Sequence, residues 1–299
     1  MPPKTEFTRH SFGILFYLAG VFCFAANDAL AKFMVSHYSV AEILVIRSVG
    51  GLAMLLPVAW YLRVRLTMRG HWGWHLFRVL AQLGDSYCFY FATRTLPLAD
   101  VMTFYMAGPI IVTAISGLLM GEKVGPYRWT AVIVGFVGVI IALAPTSAAF
   151  SSGSLIALAG SIMFAVSLVI TRKQRDTHPL TLVASQFAGS GLIAALVAPV
   201  AWVTPGIGDL SLLLLLGVGA AACFLMITRA LALAPASLLA PFQYSAILWA
   251  ALFGWIIWHD LMTPRIILGN AILIGSGLFV FYRERRLAVS VSDKVEQIP

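Results

Sequence analysis

One apolar segment of spanning length occurs twice in this chain, 140 residues apart. Residues 13–32 read GILFYLAGVFCFAANDALAK, and residues 153–172 read GSLIALAGSIMFAVSLVITR. At that offset Gly13/Gly153, Leu15/Leu155, Leu18/Leu158, Ala19/Ala159, Gly20/Gly160, Phe24/Phe164 and Ala25/Ala165 are identical, and Lys32 falls on Arg172. A helix needs about 20 apolar residues to cross the hydrocarbon core of a bilayer, and both copies qualify. Eight further stretches do so too, giving candidate spans at 11–35, 39–61, 73–94, 97–120, 126–144, 152–172, 179–203, 209–232, 235–258 and 264–282. The links between them are too short to hold a soluble domain. With 60% hydrophobic and 11% charged residues, the chain sits far from soluble domains, which carry about 25% charge.

The duplication runs past the first span. Pro57-Val58-Ala59-Trp60 returns as Pro199-Val200-Ala201-Trp202, and Thr93-Arg94-x-Leu96-x-Leu98-Ala99 returns as Thr228-Arg229-x-Leu231-x-Leu233-Ala234. Glu122 with Pro126 is echoed by Asp260 with Pro264. Five spans per copy is an odd number, so the second copy enters the membrane from the opposite face. The expected fold is an all-α polytopic membrane protein of ten transmembrane helices in two inverted five-helix repeats. The repeats cover 11–144 and 145–282, between cytoplasmic tails at 1–10 and 283–299.

The formal net charge is +8, which raises the question of a nucleic-acid partner. Its distribution argues against one. With the N-terminus inside, 16 of the 20 Lys and Arg residues fall on the inner side, among them Arg63, Arg65, Lys123, Lys173, Arg283 and Arg286. That is the positive-inside pattern of a plasma-membrane protein with both termini in the cytoplasm. The first span has Lys4 and Arg9 before it and Ala29-Leu30-Ala31 within it, which imitates a signal peptide. Its match to residues 153–172 argues that it is retained. Cys23, Cys88 and Cys223 lie inside spans and supply no disulfide framework.

An ionised side chain at mid-membrane costs roughly 2.5–3.5 kcal/mol on insertion scales, so it faces a partner or water. Asp28, Lys32, Glu42, Arg47 and Asp85 are the charges in question. Asp28 and Lys32 are four apart with the acid first, a favourable pairing on one helix. At ~1.5 Å per residue, Arg47 and Asp85 both lie about 12 Å from the outer surface, so an ion pair between them, or between Arg47 and Asp28, is expected. Such a pair either holds the first three helices together or serves substrate binding and proton coupling. Glu42 and Lys32 lie nearer the surface and are expected to snorkel.

A solute cavity also needs an apolar lining with a few polar anchors. The candidates are Asn27, Gln82, Asp85, Phe89, Tyr105, Ser167, Gln243, Tyr244 and Trp249; Gln82, Asp85 and Phe89 share one helix face. Pro109 and Pro241, inside the fourth and ninth spans, are expected to kink them. Trp60, Trp72, Trp74, Trp202 and Trp258 lie near span ends, where interfacial anchoring is the ordinary reading. Glu122 and Asp260 are expected to cap the helices that follow them, with Thr263 as an ordinary N-cap. The small-residue stripe Ala131, Gly135, Gly138 and Ala142, with Gly269, Gly275 and Gly277 in the last span, marks close helix packing or a homodimer surface. His71 and His75 are four apart but have no third ligand nearby, so neither a metal nor another cofactor is expected.

Taken in order, Tyr90-Phe91-Ala92 through Leu98-Ala99-Asp100, Gly108-Pro109, Gly121-Glu122-Lys123 and Pro241-Phe242-Gln243-Tyr244 resemble the drug/metabolite transporter superfamily, in its ten-helix EamA-type branch. The resemblance covers about residues 11–282. The second half has His259-Asp260 where that family usually has Gly-Glu. What the resemblance implies is alternating-access transport of a small organic molecule through a cavity between the halves. Amino-acid export of the YddG type is the first expectation. Uptake of a riboflavin-like or nucleoside-like nutrient is the alternative. A membrane-embedded enzyme or a channel is the reading from another class, and no ring of like charges or repeated carbonyl filter supports the channel.

Overall fold

In a computed structural model of the chain, residues 4–68, 70–108, 111–112, 115, 126–143, 152–174, 176–233, 239–276, 278–279 and 282 are described. Among them the chain forms helices and turns, with no strand. The helices are α1 (Lys4–Val35), α2 (Val40–Tyr61), α3 (Trp72–Thr95), α4 (Leu98–Tyr105), α5 (Pro126–Leu143), α6 (Ser152–Lys173), α7 (Pro179–Val197), α8 (Ile207–Leu233), α9 (Ser245–Trp258) and α10 (Pro264–Ser276). Each falls on one of the ten expected spans. Five of them are long and apolar enough to cross a bilayer outright. The 24-residue α3 carries Arg78, Asp85 and Arg94, which lowers its mean hydropathy without shortening it.

Local sequence sets the ends of these helices. Ser39 caps α2, its hydroxyl accepting from the Glu42 amide at 3.2 Å. Pro179 opens α7, and His178 Nδ1 accepts from the Leu180 amide at 3.2 Å. Thr263 Oγ1 accepts from the Ile266 amide at 3.4 Å, as an N-cap before Pro264. Asp260 does not cap α10 as expected; its carboxylate is taken by a lysine of the first repeat. Pro241 lies in a 3-10 turn, Ala240–Tyr244, that runs into α9, so the ninth span is interrupted at its start rather than kinked midway. Pro109 and Glu122 lie outside the described residues.

The inverted repeat is visible in which helices touch. α1 packs on α8 as α6 packs on α3, and α1 meets α9 as α6 meets α4. α2 faces α7 and α4 faces α9, each pair made of elements that the twofold exchanges. The two fifth helices meet at Gly138, where an added Cβ would stand 3.0 Å from the Gly269 carbonyl and 3.1 Å from Ile272. That part of the small-residue stripe therefore joins the repeats within the chain. One pairing breaks the symmetry: α2 packs closely on α8, while its counterpart α7 is only sparsely packed on α3. Glycine makes the closer pairing possible. A Cβ on Gly50 would overlap the Leu214 carbonyl, and one on Gly217 would overlap the Arg47 carbonyl.

Candidate functional site

The site grows from one face of α3. Residues 78, 82, 85 and 89 follow at spacings of four, three and four, which stacks their side chains on that face. α6 lies against it, and α4 folds back over the top after the turn at Leu96-Pro97. Asp85 is 6% exposed, so its charge is held by the protein rather than by bulk water. Tyr105 Oη donates to Asp85 Oδ1 at 2.6 Å, and Gln82 Nε2 donates to Oδ2 at 2.8 Å. Ser167 Oγ of α6 lies 3.0 Å from Gln82 Oε1 and 2.8 Å from the Phe164 carbonyl, so it extends the network into the second repeat.

Aromatic rings fix this network. Phe89 meets the Tyr105 ring edge-on at 5.4 Å and 88°, and Phe164 stands 6.0 Å from it at a tilt of 50°. The Tyr105 hydroxyl fits because residue 160 is glycine; a Cβ there would strike the phenol oxygen. Gly160 and Phe164 are among the positions shared with Gly20 and Phe24 of the first repeat. Their identity was therefore a sequence signal for the site, although Phe164 was not among the candidates.

Arg47 lies beside the network without joining it. The expected ion pair with Asp85 or Asp28 does not form within 4.0 Å among the described residues. Arg47 Nη1 instead donates to Tyr90 Oη at 2.7 Å, and its guanidinium lies 5.9 Å from the Phe187 ring centroid. Both Asp85 oxygens already have donors, and Tyr90, about a turn and a half further along α3, intercepts the arginine. The charges of Asp28, Arg47 and Asp85 still interact with one another electrostatically.

Two other charge expectations are corrected. Lys32 pairs with Asp260 at 3.0 Å, not with Asp28, which lies a turn deeper and within reach of the Arg47 charge. Glu42 does not snorkel. It is fully buried beneath the segment between α7 and α8, and its Oε2 accepts from the Val203 amide at 3.2 Å.

The remaining candidates are spread through the bundle. Asn27 is buried on α1 against α8, its Oδ1 2.7 Å from where a Gly219 Cβ would stand. Trp249 belongs to a separate cluster with Tyr17, Val21 and Leu239, and its ring meets Phe22 edge-on at 5.0 Å. Gln243 and Tyr244 are half-buried in the turn before α9. Among the described residues, no hydrogen bond or ring contact joins these four to Asp85. Trp60 and Trp72 are exposed, as interfacial anchors are, whereas Trp258 is half-buried under the Lys32 ammonium.

Arg78 was counted only toward topology, yet it is buried at 4% exposure. Its Nη2 donates to the Leu182 carbonyl at 2.9 Å and to Ser185 Oγ at 2.8 Å, tying α3 to α7 two turns below Asp85. Its place on the face of Gln82, Asp85 and Phe89 was the available clue.

A polytopic bundle of inverted repeats, with a buried carboxylate whose hydrogen-bond network reaches from one repeat into the other, is the architecture of a solute transporter. The chain belongs to the EamA-like transporter family, which it matches over residues 11–144 and again over 151–282. It is similar to a riboflavin transporter of Vibrio cholerae, 28% identical over 90% of this chain and 92% of that protein. It is also similar to an S-adenosylmethionine uptake transporter of Rickettsia bellii, 24% identical over 93% of this chain and 96% of the relative. A pseudopaline exporter of Pseudomonas aeruginosa is 26% identical over 88% and 93%. A solved crystal structure superimposes with a TM-score of 0.66 at 17% identity, over 93% of this chain and 99% of that one, which supports the fold. The protein is thus a multi-pass membrane transporter of a family with bacterial members. None of these relatives bears the name of an amino-acid exporter.

Proposed function

We propose that this chain is a secondary transporter of the bacterial inner membrane, with both termini cytoplasmic, that carries a planar nitrogen-rich metabolite of cofactor size. Transport proceeds by alternating access between the two repeats. The observation that carries this reading is the Tyr105–Asp85–Gln82–Ser167 network, flanked by the rings of Phe89 and Phe164. A carboxylate and an amide side by side recognise ring nitrogens and exocyclic amines, and the rings supply the apolar surface that a heteroaromatic solute needs. The riboflavin and S-adenosylmethionine names of two relatives point to the same chemical class.

Amino-acid export is the second reading, and one feature favours it. Arg47 and Asp85 present opposite charges in the same region, as an α-amino acid zwitterion would require. Against it, the arginine is already bonded to Tyr90 and lies near the Phe187 ring.

Thermal unfolding of the purified protein with riboflavin, S-adenosylmethionine, adenosine and a set of neutral amino acids separates the two. A solute at 100 times its Kd stabilises by about 2.7 kcal/mol, which is readily measured. Stabilisation by a heteroaromatic solute and by no amino acid is expected. Stabilisation by leucine, phenylalanine or another neutral amino acid alone would reverse the assignment.

A further inference from the structure

A second polar cluster lies at the mouth where α1 ends and α2 begins. Helix α9 stops at Trp258, and His259 turns into the left-handed region at φ 57°. The amides of His259 and Asp260 bond back to the Trp255 and Gly254 carbonyls at 3.1 Å each, so Trp258 and Asp260 are held side by side. Into this corner reaches the ammonium of Lys32, from the last turn of α1. It lies 3.0 Å from Asp260 Oδ2 and 4.5 Å from the Trp258 ring centroid.

An aromatic face with a carboxylate beside it is the arrangement that recognises organic cations. Here the occupant is tethered. A second acid, Asp100 of α4, interacts electrostatically with both Lys32 and Asp260, and its buried Oδ1 has no hydrogen-bond partner. The cluster thus holds two carboxylates and one ammonium. A cleft of about 880 Å³ opens beside it, lined by the Val35–Ser39 turn, by Thr93–Pro97, and by Lys32, Trp258 and Asp260. That volume suits a small-molecule ligand. The floor is firm: Arg94 donates to the Val35 and Tyr38 carbonyls at 3.0 Å each, pinning the turn.

We infer that this vestibule is a second ligand site, separate from the central network, for solutes carrying a positive charge such as an ammonium or sulfonium group. Lys32 fills the Trp258–Asp260 corner when no solute is present. It gives way when a cation arrives, and the link between the first repeat and the α9–α10 turn is released. The inference stands on the geometry of this mouth and does not require any one transported substrate.

The probe is choline, with 3,3-dimethylbutan-1-ol as its uncharged isostere, titrated into the purified full chain by calorimetry. Removing the tethered competitor frees the corner, so Lys32→Met is expected to bind choline at least about tenfold more tightly than the unaltered protein. Binding should be lost in Lys32→Met/Asp260→Asn and in Lys32→Met/Trp258→Leu. It should persist in Lys32→Met/Asp85→Asn, which separates this site from the central one. Asp260 is 28% exposed in its side chain, so water reaches its carboxylate once Lys32 is replaced, and thermal unfolding checks that the variant is folded. Equal binding of choline and the isostere, no gain in Lys32→Met, or loss through Asp85→Asn alone would overturn the inference.

Discussion

His259 shows how the backbone of one residue sets the position of a neighbouring charge. Its left-handed backbone places Asp260 under Lys32, yet L-residues other than glycine avoid that region. His259→Gly is therefore expected to stabilise the protein by about 1 kcal/mol without moving Asp260. Chemical denaturation of the purified variant measures it, and a loss of stability would mean that the imidazole makes a contact worth more than the strain. The departure from Gly-Glu was legible in the sequence as a substitution; that residue 259 would occupy the glycine position of a helix stop required the backbone. The same limit applies to Asp85. Helical spacing alone put Gln82, Asp85 and Phe89 on one face, but the reach of Tyr105 and Ser167 into that face depends on how three helices pack. Charge pairing was the least legible feature. Depth along a helix brought Arg47 level with Asp85 and said nothing of Tyr90, which takes the guanidinium instead.

At the scale of elements, the α2–α8 pair forms a close seam. Gly50 and Gly217 leave room for backbone carbonyls of the facing helix, and Tyr38, just before the start of α2, donates its Oη to Asp209 of α8 at 2.5 Å. Gly217→Ala forces the two helices apart and should cost about 1–3 kcal/mol, the usual range for overpacking. Gly208→Ala, whose added methyl would meet nothing within 4 Å, is the control that should change little. Equal melting temperatures for the two variants would show that α2 and α8 do not pack as described. Element positions were largely legible, because spans, caps and Pro264 are written locally. The seam was not: glycines stand all along this chain, and only the fold tells which face a neighbouring backbone.

At the scale of the whole molecule, the repeat read from Gly13 and Gly153 becomes a near-twofold bundle with one unequal pair. The α2–α8 seam is closed near the α1–α2 mouth, while its counterpart α3–α7 rests largely on the Arg78 clasp toward the opposite face. Two such seams on opposite faces of the Asp85 network are what alternating access needs, since one must part while the other holds. The sequence could place two related halves; it could not say which of two equivalent seams is the tighter, because that difference lies in packing and not in the repeat. The most direct test is radiolabelled uptake into proteoliposomes, using the solute that stabilises the purified protein, for the unaltered chain and Asp85→Asn. Saturable uptake that falls at least about tenfold in the variant, as loss of charged hydrogen bonds predicts, is the expected result. Uptake that never saturates, or that is equally fast and saturable without the Asp85 charge, would contradict a solute site built on that carboxylate between the repeats.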